Sequence, residues 1–161
     1  MIIRNTTIDD LDEVCLIYED ARRFMIESGN PDQWGEVHPA RELVDGDIRA
    51  GKSYVCADDD DEILAVFYYN IEQEPTYSKI DGRWLNDMPY GIVHRIASKR
   101  GSRGAGLFCL DWCFEQCRNV RIDTHADNVP MRGLLDKLGY TYCGTIWILN
   151  GDERMAYQKS E

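Results

Sequence analysis

Basic residues, histidines and long apolar runs are scarce in this chain of 161 residues. Lys and Arg number 18 against 29 Asp and Glu, a formal net charge of −11. That deficit excludes a general nucleic-acid binder, which needs a basic face to meet phosphates. No apolar run approaches about 18 residues, the length that reads as a membrane span. The segment Met1–Thr7, soon followed by Asp9 and Asp10, has neither the length nor the apolar core of a secretory leader, so a cytoplasmic location is expected. The six cysteines, at 15, 56, 109, 113, 117 and 143, form no C-x-x-C pair, which excludes a zinc ribbon and a thioredoxin-like motif. Cys109, Cys113 and Cys117 fall at i, i+4, i+8 and read as small apolar residues packed inside a helix. The acidic run Asp58–Asp61 reads as a solvated turn, because adjacent acids without spaced partners do not make a calcium loop. No metal is expected.

What is present suffices for a core. Hydrophobic residues make up 43% and aromatics 11%, and a chain of this length buries roughly 70% of its unfolded surface. There is no linker and no internal repeat, so residues 1–161 read as one domain. Residues 1–5 are a first strand. Leu11, Val14, Cys15, Ile17, Tyr18 and Ala21 recur at helical spacing, which predicts a helix from Thr7 to about Glu27. Residues 31–38 are a loop carrying Trp34, and a second helix follows Pro39 and ends near Gly51. Residues 53–57 and 62–70 pair as a hairpin. Residues 71–89 are a long irregular loop with Trp84, and such loops in compact domains are often functional. Then come a strand over 91–97, a glycine-rich segment, a helix over 107–117, a strand over 120–125, a helix capped by Asp127 and Asn128, and two strands around Asn150-Gly151.

The segment Gly101-Ser102-Arg103-Gly104-Ala105-Gly106 lies between a strand and a helix. Such a turn aims backbone N–H groups at a ligand from a helix N-terminus, and both effects favour phosphate. Lys99, Arg100 and Arg103 put positive charge there in an otherwise acidic chain. The segment lacks the Gly-Lys-Ser/Thr end of a P-loop and is not G-x-G-x-x-G. Its order is G-x-x-G-x-G. Followed by helix, strand, Asn128, helix and Leu138-Gly139-Tyr140, it resembles the GNAT (GCN5-related) N-acetyltransferase superfamily over essentially the whole chain.

The resemblance implies an α/β (α+β) GNAT fold, a mixed, mostly antiparallel sheet of six to seven strands flanked by about four helices. It implies transfer of an acetyl group from acetyl-CoA directly to a primary amine of a small molecule, amino acid or peptide. The alternative on the same fold is a non-catalytic acyl-CoA-binding sensor. Coenzyme A would lie with its pyrophosphate on the amides of Gly101, Ser102, Arg103, Gly104, Ala105 and Gly106, with Arg100 and Arg103 near the phosphates. Its pantetheine would follow the strand ending at Ile96 and Ala97, and Asn128 would cap the last helix, touch that arm, or both. Two positions depart from the family pattern. Gly101 stands where the loop motif usually begins with Gln or Arg, and Leu135 stands where the family often places a Tyr acid. A homodimer is compatible with the resemblance; neither nucleic acid nor membrane is expected as a partner.

Amine acetylation needs a base to take a proton from the incoming ammonium. Three histidines are available, His38, His94 and His125. His94 reads either as a general base or as a structural, hydrogen-bonded histidine; alternation would put it on one face with Ile92 and Ile96. His125 and Asp127 stand at a strand's C-terminal end, where α/β folds often place their chemistry. Trp34 and Trp84, both in loops, are candidates for the acceptor pocket.

Overall fold

The structure, a computed structural model describing residues 1–161, contains eight strands and four helices. They are β1 (Ile2–Asn5), α1 (Leu11–Glu27), α2 (Arg41–Arg49), β2 (Ser53–Ala57), β3 (Ile63–Ile71), β4 (Asp81–Gly82), β5 (Gly91–Ser98), α3 (Ala105–Cys117), β6 (Asn119–Thr124), α4 (Val129–Lys137), β7 (Thr141–Trp147) and β8 (Glu153–Ser160). One sheet takes them in the order β1-β2-β3-β5-β6-β8-β7-β4. Every pairing is antiparallel except β5 with β6. The eighth strand is β4, two residues of the long 71–89 loop that pair with Thr145 and Gly144 at the sheet edge. Two residues leave no periodicity to read, hence the expectation of six to seven strands. No helix is long and apolar enough to cross a membrane.

The N-terminal helix starts later than its spacing suggested. Residues Ile8–Asp10 form a 3-10 turn, fixed by the Thr7 amide donating to the Asp10 carboxylate at 2.8 Å. Helix α1 then buries Leu11, Val14, Ile17 and Tyr18 against Val55, Val66 and Ala97 of the sheet, with Val44 and Ile48 of α2 closing the cluster. Each such side chain contributes roughly 1.5–3 kcal/mol of transfer free energy. On the opposite face α3 lays Cys109, Leu110, Cys113 and Phe114 on Phe67, Val93, Val120 and Ile122, and α4 adds Leu135. The cysteines at 109 and 113 are fully buried in this packing, as their spacing suggested.

Two irregularities in the central strands make the site. Strand β5 pairs with β6 only through Gly91 and Ile92, after which the two strands part. The edge of β5 facing β6 therefore has no strand partner from Val93 to Ser98. In addition, β5 carries a bulge: Tyr68 pairs with His94 but Val66 pairs with Ala97, so β5 has one residue more than β3 between these pairs. Arg95 is the residue that absorbs it, at φ +50. A left-handed non-glycine residue costs about 1–2 kcal/mol and survives only where the surroundings fix it. Here Tyr18 Oη donates to the Arg95 carbonyl at 2.8 Å, and Asp47 holds the guanidinium at 2.9 Å. The bulge corrects the expected alternation. Ile96 lies with Val93 against α3, whereas His94 lies with Ile92 on the other face, beside Tyr68.

Candidate functional site

The glycine turn is the first part of the candidate site. Ser102 Oγ donates to the Leu64 carbonyl at 3.1 Å, and the Lys99 amide donates to the same carbonyl at 2.8 Å, so the turn is anchored to the start of β3. Gly101 and Gly104 stand at φ +84 and +79, and no atom lies within 4 Å of where a Cβ on either would sit. They give the chain its left-handed corners and leave the space above them open. Helix α3 starts at Ala105, two residues earlier than expected, so Gly104 is its N-cap. The amides of Gly104, Gly106 and Leu107 donate to no protein acceptor. Three free N–H groups at the positive end of a helix make an anion cradle.

The charges around this cradle are more compensated than the sequence implied. Arg100 lies over the Phe24 ring and pairs with Asp20 at 3.0 Å, with Glu27 at 3.6 Å. Lys99 pairs with Glu62 at 2.5 Å. Arg103 alone of the three makes no ion pair, and it is exposed. The cationic help expected from Arg100 is thus partly spent on helix α1, while Arg103 stays free.

The second part is a cavity of about 780 Å³ opening where β5 and β6 diverge. On the α3–α4 side it is bordered by Val93, Ile96, Ile122, Thr124, Asn128 and Met131. Asn128 caps α4, its Oδ1 accepting the Met131 amide at 3.2 Å, and its Nδ2 donates to Gln33 Oε1 at 2.9 Å. Thr124 is 1% exposed and its Oγ1 has no hydrogen-bond partner. Leu135 is fully buried among core residues, so α4 offers no hydroxyl at the position where the family pattern often has one.

On the opposite face the cavity is walled by Trp34, His38, Asp47, Tyr68, Glu74, His94, Arg95, Asp123 and Arg154. His94 Nε2 lies 2.9 Å from Glu74 Oε2, and that bond, more than any other influence, holds the Glu74 carboxyl below its ordinary range. The Glu74 amide is held in turn by Tyr90 Oη at 2.9 Å. Asp123 accepts from Tyr77 Oη at 2.6 Å. Burial pushes the Asp47 carboxyl up despite the pull of Arg95. Burial, with Arg95 second, pushes the His38 imidazole down, toward its neutral form. Trp34 packs edge-on against Tyr18 at 5.8 Å between ring centroids, and so shapes this wall.

Other expected residues lie elsewhere. Trp84 is not on the cavity wall: its Nε1 donates to the Tyr77 carbonyl at 2.9 Å and its ring stacks on the Arg121 guanidinium at 4.3 Å. The loop that carries it folds back onto the sheet, and this packing consumes the indole. His125 and Asp127 do not line the cavity either, because β6 ends at Thr124 and the chain turns. His125 Nδ1 accepts the Asp127 amide at 3.0 Å, and both meet Asp32, with ligand atoms of all three within 4.8 Å of one another. Ala97 is buried and paired with Val66. Glu74, Asp123 and Arg154 went unforeseen. Glu74 stands in the irregular loop, and the other two are ordinary alternating strand residues with no local motif.

Among solved structures the chain is similar to a GNAT-family acetyltransferase from Streptococcus agalactiae, at 34% identity and a TM-score of 0.88 over 99% of this chain and 95% of that one. It is similar in fold to a ribosomal-protein-alanine N-acetyltransferase from Brucella melitensis, at 17% identity and a TM-score of 0.67 over the full length of both. It is also similar in fold to a GNAT-superfamily phosphinothricin acetyltransferase from Sinorhizobium meliloti in complex with AcCoA, at 15% identity and a TM-score of 0.64 over 98% and 86%. No family model and no curated protein sequence matches the chain.

Proposed function

The chain belongs to the GNAT family of acetyltransferases, and from that premise we propose that residues 1–161 act as one domain that moves an acetyl group from acetyl-CoA directly to a primary amine. The observation that carries this reading is the parting of β5 from β6 after Ile92, which opens a cavity walled by the half-buried His94–Glu74 pair, while β5 itself runs on into the turn that carries the free amides. Acetyl-CoA supplies the activated acyl group. The amides of Gly104, Gly106 and Leu107 hold its pyrophosphate, with Arg103 as the available cation, and the unpaired edge of β5 takes the pantetheine amides.

His94 takes the proton from the incoming ammonium. Glu74 orients the imidazole and stabilises the imidazolium that forms, the role a carboxylate plays beside any histidine base. The freed amine lone pair then bonds to the thioester carbonyl carbon and the carbon–sulfur bond breaks. Leu135 cannot protonate the departing thiolate, so that proton comes from solvent or from His94. Holding amine and acyl group together in the cavity contributes about 7–11 kcal/mol at best.

The experiment is thiol release from acetyl-CoA across a panel of primary amines, beside calorimetric titration with acetyl-CoA. Binding with turnover of at least one amine is the expected result. No heat from a folded sample ends this reading. Tight binding with no turnover across the panel would favour an acyl-CoA sensor, the one alternative that the buried Leu135 supports.

A further inference from the structure

Resting on the acetyl-transfer reading, we propose that Arg154 binds a carboxylate of the acceptor, so that the molecule acetylated is an amino-carboxylate: a compound with a carboxylate close to its primary amine. Arg154 is 5% exposed and stands on the cavity wall. Its Nη1 donates to the Glu153 carbonyl at 2.9 Å and its Nη2 to the Gln33 carbonyl at 3.0 Å. A guanidinium has five N–H donors, so donors remain. No carboxylate lies within ion-pair distance of it, and no aromatic ring stacks on it.

Among the buried arginines and the cations of this wall, that isolation is peculiar to Arg154. On the same wall Arg95 is paired with Asp47 at 2.9 Å, and His94 with Glu74 at 2.9 Å. The only other buried arginine, Arg121, lies between the rings of Trp84 and Tyr90 at 4.3 and 4.1 Å. A buried charge without a partner is costly, and proteins keep one where a ligand completes it. The planar fork of arginine matches a carboxylate in two parallel hydrogen bonds.

The opposite end of the zwitterion has its own place. Asp123 pairs with Ala156 across β6 and β8, which makes Asp123 and Arg154 diagonal neighbours on one sheet face. Such neighbours stand about 7–8 Å apart, room for the two charged ends of one small molecule between them. Asp123 receives only the Tyr77 hydroxyl and is free to meet an ammonium, in the same cavity as His94 and Glu74. Trp34 and Tyr68 border the space left for a side chain.

The test uses the twenty standard L-amino acids, with leucine, methionine, phenylalanine and glutamate also supplied as primary amides and as decarboxylated amines. Turnover is read as thiol release from acetyl-CoA. Binding is read by calorimetry on protein saturated with desulfo-coenzyme A. At least one amino acid is expected to bind and react with a kcat/KM about 10- to 100-fold above that of its amide and its decarboxylated amine, the weight of a charge-assisted bond. Arg154→Gln is expected to collapse that ratio toward one, chiefly through KM, and Arg154→Lys to restore part of it. Binding of desulfo-coenzyme A reports that each variant is folded. Amides and decarboxylated amines handled as well as the acids would overturn the assignment and leave acetyl transfer standing. A preference that survives Arg154→Gln, or no acid that binds or reacts, would also overturn it. Acids that bind more tightly than their amides without turnover would uphold the carboxylate subsite and end the acetyl-transfer reading.

Discussion

The glycine turn draws its ligand-facing groups from seven consecutive residues, Gly101–Leu107, and uses main-chain N–H groups to do it. The opposite wall collects Trp34, Asp47, Glu74, His94, Asp123 and Arg154 from six separated stretches of chain and uses side chains throughout. Main-chain recognition depends on φ and ψ alone, so it fits a donor whose phosphates have the same shape whatever the acceptor. Side-chain recognition changes with single substitutions, so it fits the half of the site that must choose among amines. The bulge at Arg95 is the joint between them, because it turns Ile96 to the first side after His94 has been turned to the second.

The sharpest way to break this comparison is to remove chemistry from the side-chain wall while leaving the main-chain cradle intact. His94→Gln is expected to lower kcat by about 100- to 1,000-fold, within the range a positioned base supplies, and Glu74→Gln by less, since it acts only through the imidazole. The affinity for acetyl-CoA should stay within a factor of two for both. Steady-state kinetics and calorimetry on the same samples decide it. If acetyl-CoA affinity falls with kcat, the two halves are not separable in this way.

The reverse experiment attacks the cradle. Gly104→Val forces a β-branched residue to φ +79, where strain costs about 1–2 kcal/mol of stability. Its side chain also occupies the open space before the free amides. The dissociation constant for acetyl-CoA should rise about 10- to 100-fold, as charge-assisted bonds to the phosphate are lost. Urea melts give the stability loss and calorimetry the affinity. An unchanged affinity would show that the phosphates rest elsewhere.

The same contrast sets how much of the molecule is legible from residues alone. The glycine turn is contiguous, and glycine reports backbone conformation directly, so the left-handed corners at Gly101 and Gly104 and the cap at Asn128 are visible in sequence. Helix α1 is visible through its sustained periodicity and α4 through its cap at Asn128, both local signals. The acceptor side is not local. Nothing in the sequence says that Glu74, twenty residues upstream, will meet His94, or that Asp123 and Arg154 will be diagonal across β6 and β8. Trp84 shows the limit from the other side: an indole in a long loop suggests a pocket, yet packing on Arg121 and Tyr77 claims it. Arg95 defeats period counting because one extra residue reverses every side chain beyond it.

Thr124 is where the two halves meet, and it gives the smallest effect with the most telling sign. Its hydroxyl is buried, faces the side of Ile122 and Met131, and has no partner. An unmade hydrogen bond of a buried group costs about 1–3 kcal/mol. Thr124→Val removes the hydroxyl at nearly constant shape, so the free protein should be as stable as before, or more stable by about 1 kcal/mol. If the hydroxyl is kept for the donor arm that enters between β5 and β6, the affinity for acetyl-CoA should fall by about 3- to 10-fold in the same variant. Stability and affinity would then move in opposite directions, which a merely structural threonine cannot produce. A loss of stability with unchanged affinity would assign Thr124 to the core beneath the cavity and leave the donor to the cradle at Gly101–Leu107 and the open edge of β5.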